Sequence, residues 1–264
     1  MPLNKFFTAL GQSFHSRELY RDAARRWKGV GFLYLFLLLA LVWIPSMVEM
    51  HLDFSDFMLE QFPEFVSQIP DITIEDGEVS TDVPTPHEIR DPETGDLLAV
   101  IDLTGEIPSL DETEAKVLLT RTHLYMEQNN RPETRVFDLS NVKEFTLTQE
   151  DITGWGELAR QWLVVIAYPF FVLFSYVYRI LQALLYAIMG LLFARGAGVK
   201  LAYDASLRLT VLAITPPILL DTLRDLASLT VPLWWFLSFL IAMGYLYFGI
   251  HSNAEATASP ASPP

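Results

Sequence analysis

The sequence contains no cysteine among its 264 residues. Disulfide frameworks, zinc–thiolate centres, thiol nucleophiles and iron–sulfur clusters are therefore excluded. Histidine is scarce as well. His15, His51, His87, His123 and His251 are scattered along the chain and do not cluster at zinc-ligand spacing. There is no glycine-rich phosphate loop, no G-x-S-x-G and no H-E-x-x-H. Familiar catalytic and cofactor signatures are thus absent, and the expectation is a protein that is not an enzyme and binds no cofactor or metal.

What is present divides by region. The chain is 51% hydrophobic, with a mean hydropathy of +0.28, yet it carries a formal charge of −14. Between His51 and Glu157 there are 25 Asp or Glu and 6 Lys or Arg, a net of −19, while the rest of the chain is +5. An acidic block bracketed by basic, apolar flanks reads as a membrane protein with one exported domain. A block so acidic repels phosphate backbones, so nucleic acid is not an expected partner.

Residues 1–28 form a basic amphipathic cytoplasmic segment. Phe6, Phe7, Leu10 and Phe14, then Leu19, Tyr20, Ala23 and Trp27, recur at helical spacing among six bases. Such a segment either lies in the headgroup plane or simply sets topology. Residues 29–48 are a first transmembrane helix, an uncleaved signal anchor with the bases before it inside and the acidic run after it outside.

Residues 49–157 read as an exported α+β domain. It should open with a helix over Phe54–Ile69 and contain a turn at Asp76–Gly77 after Ile72–Ile74. LLAVIDL at Leu97–Leu103 is a buried strand, and His123–Met126, Arg135–Leu139 and Phe145–Leu147 are further strands. Asp111–Leu119 is expected to be helical, with acids in its first turn.

Residues 158–195 are a long second membrane helix that passes through Pro169 and Arg179. The competing reading is two short crossings with a turn at Arg179; the basic residues that follow, Arg195, Lys200 and Arg208, favour one. Residues 205–222 run outward through Pro216–Pro217. Asp221, Arg224 and Asp225 form a short outer loop, 231–250 return, and 251–264 are a disordered cytoplasmic tail. The fold class is accordingly an α-helical bundle of about four transmembrane helices with an α+β exported domain inserted after the first.

Four residues stand out as candidate functional positions. Arg179 is a charge inside an apolar segment, where it either snorkels beside Tyr176 and Tyr178 or lines a polar path. Pro216 and Pro217 mark either a structural kink or a broken helix at a binding site. Asp102 closes the LLAVIDL strand and could be catalytic, though no nucleophile–base set accompanies it. The loop Asp91–Asp96 gathers three carboxylates around Gly95, but lacks the spacing of a calcium loop and reads as a solvated hairpin turn.

Tyr20…Arg26-Trp27-Lys28-Gly29-Val30-Gly31-Phe32-Leu33-Tyr34-Leu35, Ile69-Pro70-Asp71-Ile72-Thr73-Ile74 with Asp76-Gly77, and Ile101-Asp102-Leu103-Thr104-Gly105 resemble the bacterial membrane family catalogued as domain of unknown function 1189. Gly196–Lys200 followed by a proline-containing span is similar, more loosely, to Yip-type multi-pass membrane proteins. Neither resemblance implies a reaction. The first implies a bacterial cytoplasmic (inner) membrane protein, and the alternation of basic and acidic flanks places both termini in the cytoplasm. The expected function is a scaffold or regulatory module that binds another envelope component. The alternative is transport or lipid handling along a path near Arg179 and Pro216–Pro217.

Overall fold

The computed structural model describes residues 3–127 and 134–258. The chain divides into two compact units: a helical one built from residues up to Glu49 and from Ile166 onward, and a second comprising Met50–Val165.

The helical unit begins with α1 (Leu3–Gln12) and α2 (Arg17–Arg26). Ser16 caps α2 by accepting the Leu19 amide, Glu18 lies in its first turn, and Arg25 and Arg26 lie in its last, each complementing the helix dipole. Part of this segment's apolar stripe is packed inside the unit: Phe6, Tyr20, Ala23 and Trp27 are buried with Leu35, Leu38, Leu209, Leu212 and Leu246, whereas Phe7 and Phe14 stay exposed. Tyr20 fits because position 249 is glycine; a Cβ there would run into its ring. These two helices are therefore part of the protein core.

Among the described residues, four stretches of helix are long and apolar enough to cross a membrane. The first is α3 (Val30–Glu60), which continues well past residue 48, where the hydropathy predicts its end, because Pro45 is accommodated and no turn residue follows. The helix expected over Phe54–Ile69 is split: α3 takes its first part and a short α4 (Phe62–Ser67) its last. The second is α5 (Gln149–Gly196), one unbroken helix of 48 residues, about 72 Å at 1.5 Å per residue, with Pro169 inside it and no chain turn at Arg179. The third consists of α6 (Tyr203–Ala213) and α7 (Thr215–Leu226), separated only by Ile214, whose backbone is itself helical. Asp221, Arg224 and Asp225, expected in a loop, belong to α7; the turn that follows is 227–233. The last is α8 (Trp234–Ala258). Helix thus replaces the expected irregular tail as far as Ala258. The segment packs: Ser252 and Asn253 are buried and donate to the carbonyls of Phe248 and Gly249. Residues 259–264 of that expected tail lie outside the described residues.

The second unit holds two sheets. One has the order β2-β1-β8 (β1 Ile72–Glu75, β2 Glu78–Thr81, β8 Glu144–Leu147), all antiparallel. Its β1–β2 hairpin turns on Asp76 and Gly77, both at positive φ as a tight two-residue turn requires. Gly77 also abuts the Ser140 backbone, leaving no room for a Cβ.

The other sheet has the order β3-β4-β5-β6-β7 (β3 His87–Arg90, β4 Leu97–Asp102, β5 Val117–Thr120, β6 His123–Glu127, β7 Thr134–Asp138). All pairs are antiparallel except β4–β5, which run parallel with Val100 opposite Leu118. β4 is apolar on both sides because both are covered. Val100 and Leu118 pack with Leu110 and Ala115, while Ala99 and Ile101 line a space on the opposite side. The helix expected over Asp111–Leu119 does not form. A single 3₁₀ turn, Leu110–Glu112, is followed by Thr113 in extended conformation, and Val117–Thr120 are claimed by the sheet. The pairing of Val-Leu-Leu-Thr with β4 overrides the helix-favouring acids before it.

Candidate functional site

Arg179 lies on α5, inside the helical unit. Its Nη1 donates to Gln182 Oε1 at 2.8 Å, and Gln182 Nε2 donates to the Tyr186 hydroxyl at 3.0 Å, a relay at helical spacing that fixes the guanidinium. The ring of Tyr178 lies 5.6 Å away. Arg179 Nε is buried without a hydrogen-bond partner. These side chains line a cavity of about 560 Å³ together with Asp221 and Arg224 of α7 and Trp234 of α8. Arg224 is closely engaged there. It reaches Asp221 at 3.0 Å, bonds Asp225, and lies 5.0 Å from the Trp234 ring.

Asp221, Arg224, Gln182 and Tyr186 complete a polar cluster that sequence reasoning did not assemble. The signal is present in part: Arg179-x-x-Gln182 and Asp221-x-x-Arg224 are both i,i+3 pairs flanked by apolar residues.

Pro216 and Pro217 are not part of this cavity. They occupy the first positions of α7 and are buried there, where a missing amide hydrogen leaves no helical bond unmade. Beside them the Thr215 hydroxyl lies 3.1 Å from that of Tyr34, also buried. α7 brings Asp221 and Arg224, and not the two prolines, to the cavity at Arg179.

Asp102, at the end of β4, is 1% exposed. One carboxylate oxygen accepts the amides of Thr104 and Gly105 and the Thr104 hydroxyl, and the other accepts the Ile107 amide at 2.7 Å. Burial pushes this carboxyl up, but the Thr104 hydroxyl and the three amides together outweigh it and hold the group below the ordinary carboxylate range. The residue organises the turn after β4, and its lone pairs are used in doing so. Asp91 likewise accepts the amides of Glu93 and Thr94 in its own turn, and among the described residues no three His, Asp or Glu side chains are placed to hold a metal.

A second cavity, of about 450 Å³, lies between the two sheets of the 50–165 unit. Every lining side chain is apolar, with Ile72, Ile74 and Phe145 from one sheet facing Ile101, Leu119 and Leu124 from the other. Alternation along β1 and β4 produces this: Ile72 and Ile74, like Ala99 and Ile101, are two residues apart and share a face. Phe145, opposite Ile74 in the register, is 45% exposed at its edge.

No curated protein and no solved structure matches the chain. The looser likeness to Yip-type proteins has no counterpart among the matches. A family model, by contrast, matches residues 7–250, nearly the whole length, and the chain therefore belongs to the family described as protein of unknown function (DUF1189).

Proposed function

We propose that this is a non-enzymatic, multi-pass membrane protein whose acidic sheet domain is a binding module, a scaffold or regulator, for another envelope component. The observation that carries this reading is the apolar cleft between the two sheets. An acidic domain with a wholly apolar recess of about 450 Å³ offers an anchor pocket for apolar side chains of a partner. The use of Asp102 as a turn anchor supports the non-catalytic reading.

The segregation of charge supports placement in a bacterial cytoplasmic membrane, with both termini inside and the acidic unit outside. The four apolar helical stretches then act as spans, and the lipid bilayer is the second partner.

The test uses the full chain in native membranes, with a photo-reactive amino acid at position 145 and, as control, at the solvent-facing Glu78. A discrete protein adduct from position 145 alone, lost when Leu124 is replaced by Asp in a protein with an unchanged melt, is the expected result. Equal adducts from both positions, or none from 145, would sink the proposal.

A further inference from the structure

Five buried side-chain polar atoms among the described residues lack a hydrogen-bond partner, and two of them line the same cavity. One is a donor, Arg179 Nε; the other is an acceptor, Asp221 Oδ1. Buried polar groups are nearly always paired, and an unpaired one is costly. A complementary donor and acceptor left open on the walls of one space describe a ligand with an anion at one end and a hydrogen-bonding cation at the other.

Their neighbours explain why the two do not satisfy each other. Arg179 is held towards Gln182, and among the described residues no carboxylate lies within ion-pair distance of it. Asp221 is drawn to Arg224 Nη2 at 3.0 Å, but out of hydrogen-bond alignment, because Arg224 is bonded to Asp225 and lies beside Trp234. Arg224 is thus in ion-pair contact with both Asp221 and Asp225, Asp221 Oδ1 still makes no hydrogen bond, and among the described residues Arg179 has no carboxylate within ion-pair distance. A planar guanidinium with free edges is the side chain best suited to two oxygens of a phosphate.

We infer that this cavity binds a phosphoester bearing a primary ammonium, with the phosphate on Arg179 and the ammonium on Asp221, the chemistry of a phosphoethanolamine headgroup. The volume of about 560 Å³ lies in the range of small-ligand sites. Its walls, α5, α7 and α8, are apolar helices long enough to meet lipid, and Trp235 on the cavity rim is 72% exposed, as in an aromatic belt at headgroup level. The ammonium must be primary or otherwise carry N–H groups. A quaternary choline has no N–H to offer Asp221 Oδ1. This inference is independent of the partner-binding reading, which rests on the other unit.

The experiment is a set of lipid titrations on the full-length protein in a neutral detergent, read as the shift in melting temperature. Phosphatidylethanolamine should bind about tenfold tighter than phosphatidylcholine, the difference one unmet hydrogen bond to a charge makes. Phosphatidylglycerol, which supplies the phosphate without the ammonium, should also be weaker than phosphatidylethanolamine. Water-soluble glycerophosphoethanolamine distinguishes the sources: competition at similar concentration points to a free phosphoester, and failure to compete to a membrane lipid. Asp221→Asn should abolish the preference for ethanolamine over choline, and Arg179→Gln should weaken all three lipids alike. Equal binding of the ethanolamine and choline lipids by the unaltered protein, tighter binding of phosphatidylglycerol, or a preference that survives Asp221→Asn overturns the assignment. The comparison on the unaltered protein decides even if a variant fails to fold.

Discussion

The hydroxyls of Tyr34 and Thr215 lie 3.1 Å apart, both fully buried, and join α3 to the first turn of α7 beside Pro216. The two partners are not equivalent. Thr215 Oγ1 also lies 3.4 Å from the Val211 carbonyl, whereas among the described residues the Tyr34 hydroxyl has its one hydrogen bond here.

Unequal costs follow for the two deletions. Tyr34→Phe removes one hydrogen bond and leaves Thr215 its carbonyl, an expected loss of about 1 kcal/mol. Thr215→Val strands a buried phenol and should cost about 1–3 kcal/mol. The double variant should be less destabilised than the sum, because no polar atom is then orphaned. Thermal melts of the four proteins in one detergent measure the cycle; strict additivity would show that the two hydroxyls do not interact.

Asp102 gives a pH dependence. Its folded pKa is depressed by the Thr104 hydroxyl and three amides, against the opposing effect of burial. The stability it contributes is complete above the ordinary carboxyl pKa of about 4 and is lost as pH falls through the lower folded value. Asp102→Asn should cost about 1–3 kcal/mol at neutral pH, since an amide cannot accept at both ends. It should also flatten the acid limb of the stability curve. Denaturant melts of the full-length protein between pH 3 and 7 measure both, and a limb of unchanged shape would refute the assignment.

At the β1–β2 turn, Gly77→Ala is strained twice. The backbone is at φ +85°, and the new Cβ would lie 2.6 Å from the Ser140 Cα. The expected loss is about 1–3 kcal/mol, larger than that of Gly95→Ala, where φ is +75° but the space is open. Similar melts for the two variants would contradict this ranking.

Topology is tested by phosphatase fusions. If the basic flanks lie on the inner side, as proposed, an enzyme joined after Gly95 should be active and one joined after Pro264 inactive. An active fusion at Pro264 would mean that the apolar helices cross an odd number of times.

Some features were legible in the residues themselves because their signals are local. Runs of uncharged residues mark the apolar helices, Asp76–Gly77 marks a hairpin, and the short apolar run Leu97–Leu103 marks β4. The segregation of acids and bases is likewise a property of the chain alone. Other features needed the fold. Val117–Thr120 is a strand because β4 and β6 flank it, and no local count of acids could reveal those partners. Phe6 and Tyr20 read as part of a basic segment that either lies in the headgroup plane or sets topology, yet they are core, since Gly249, more than 200 residues away, leaves the space Tyr20 fills. Arg179 stands out by its charge, but the sequence around Asp221 reads as a loop and carries no signal that puts the two in one cavity. Periodicity fixes which face a residue takes on its own helix; which helix that face meets is decided by packing between segments far apart in the chain.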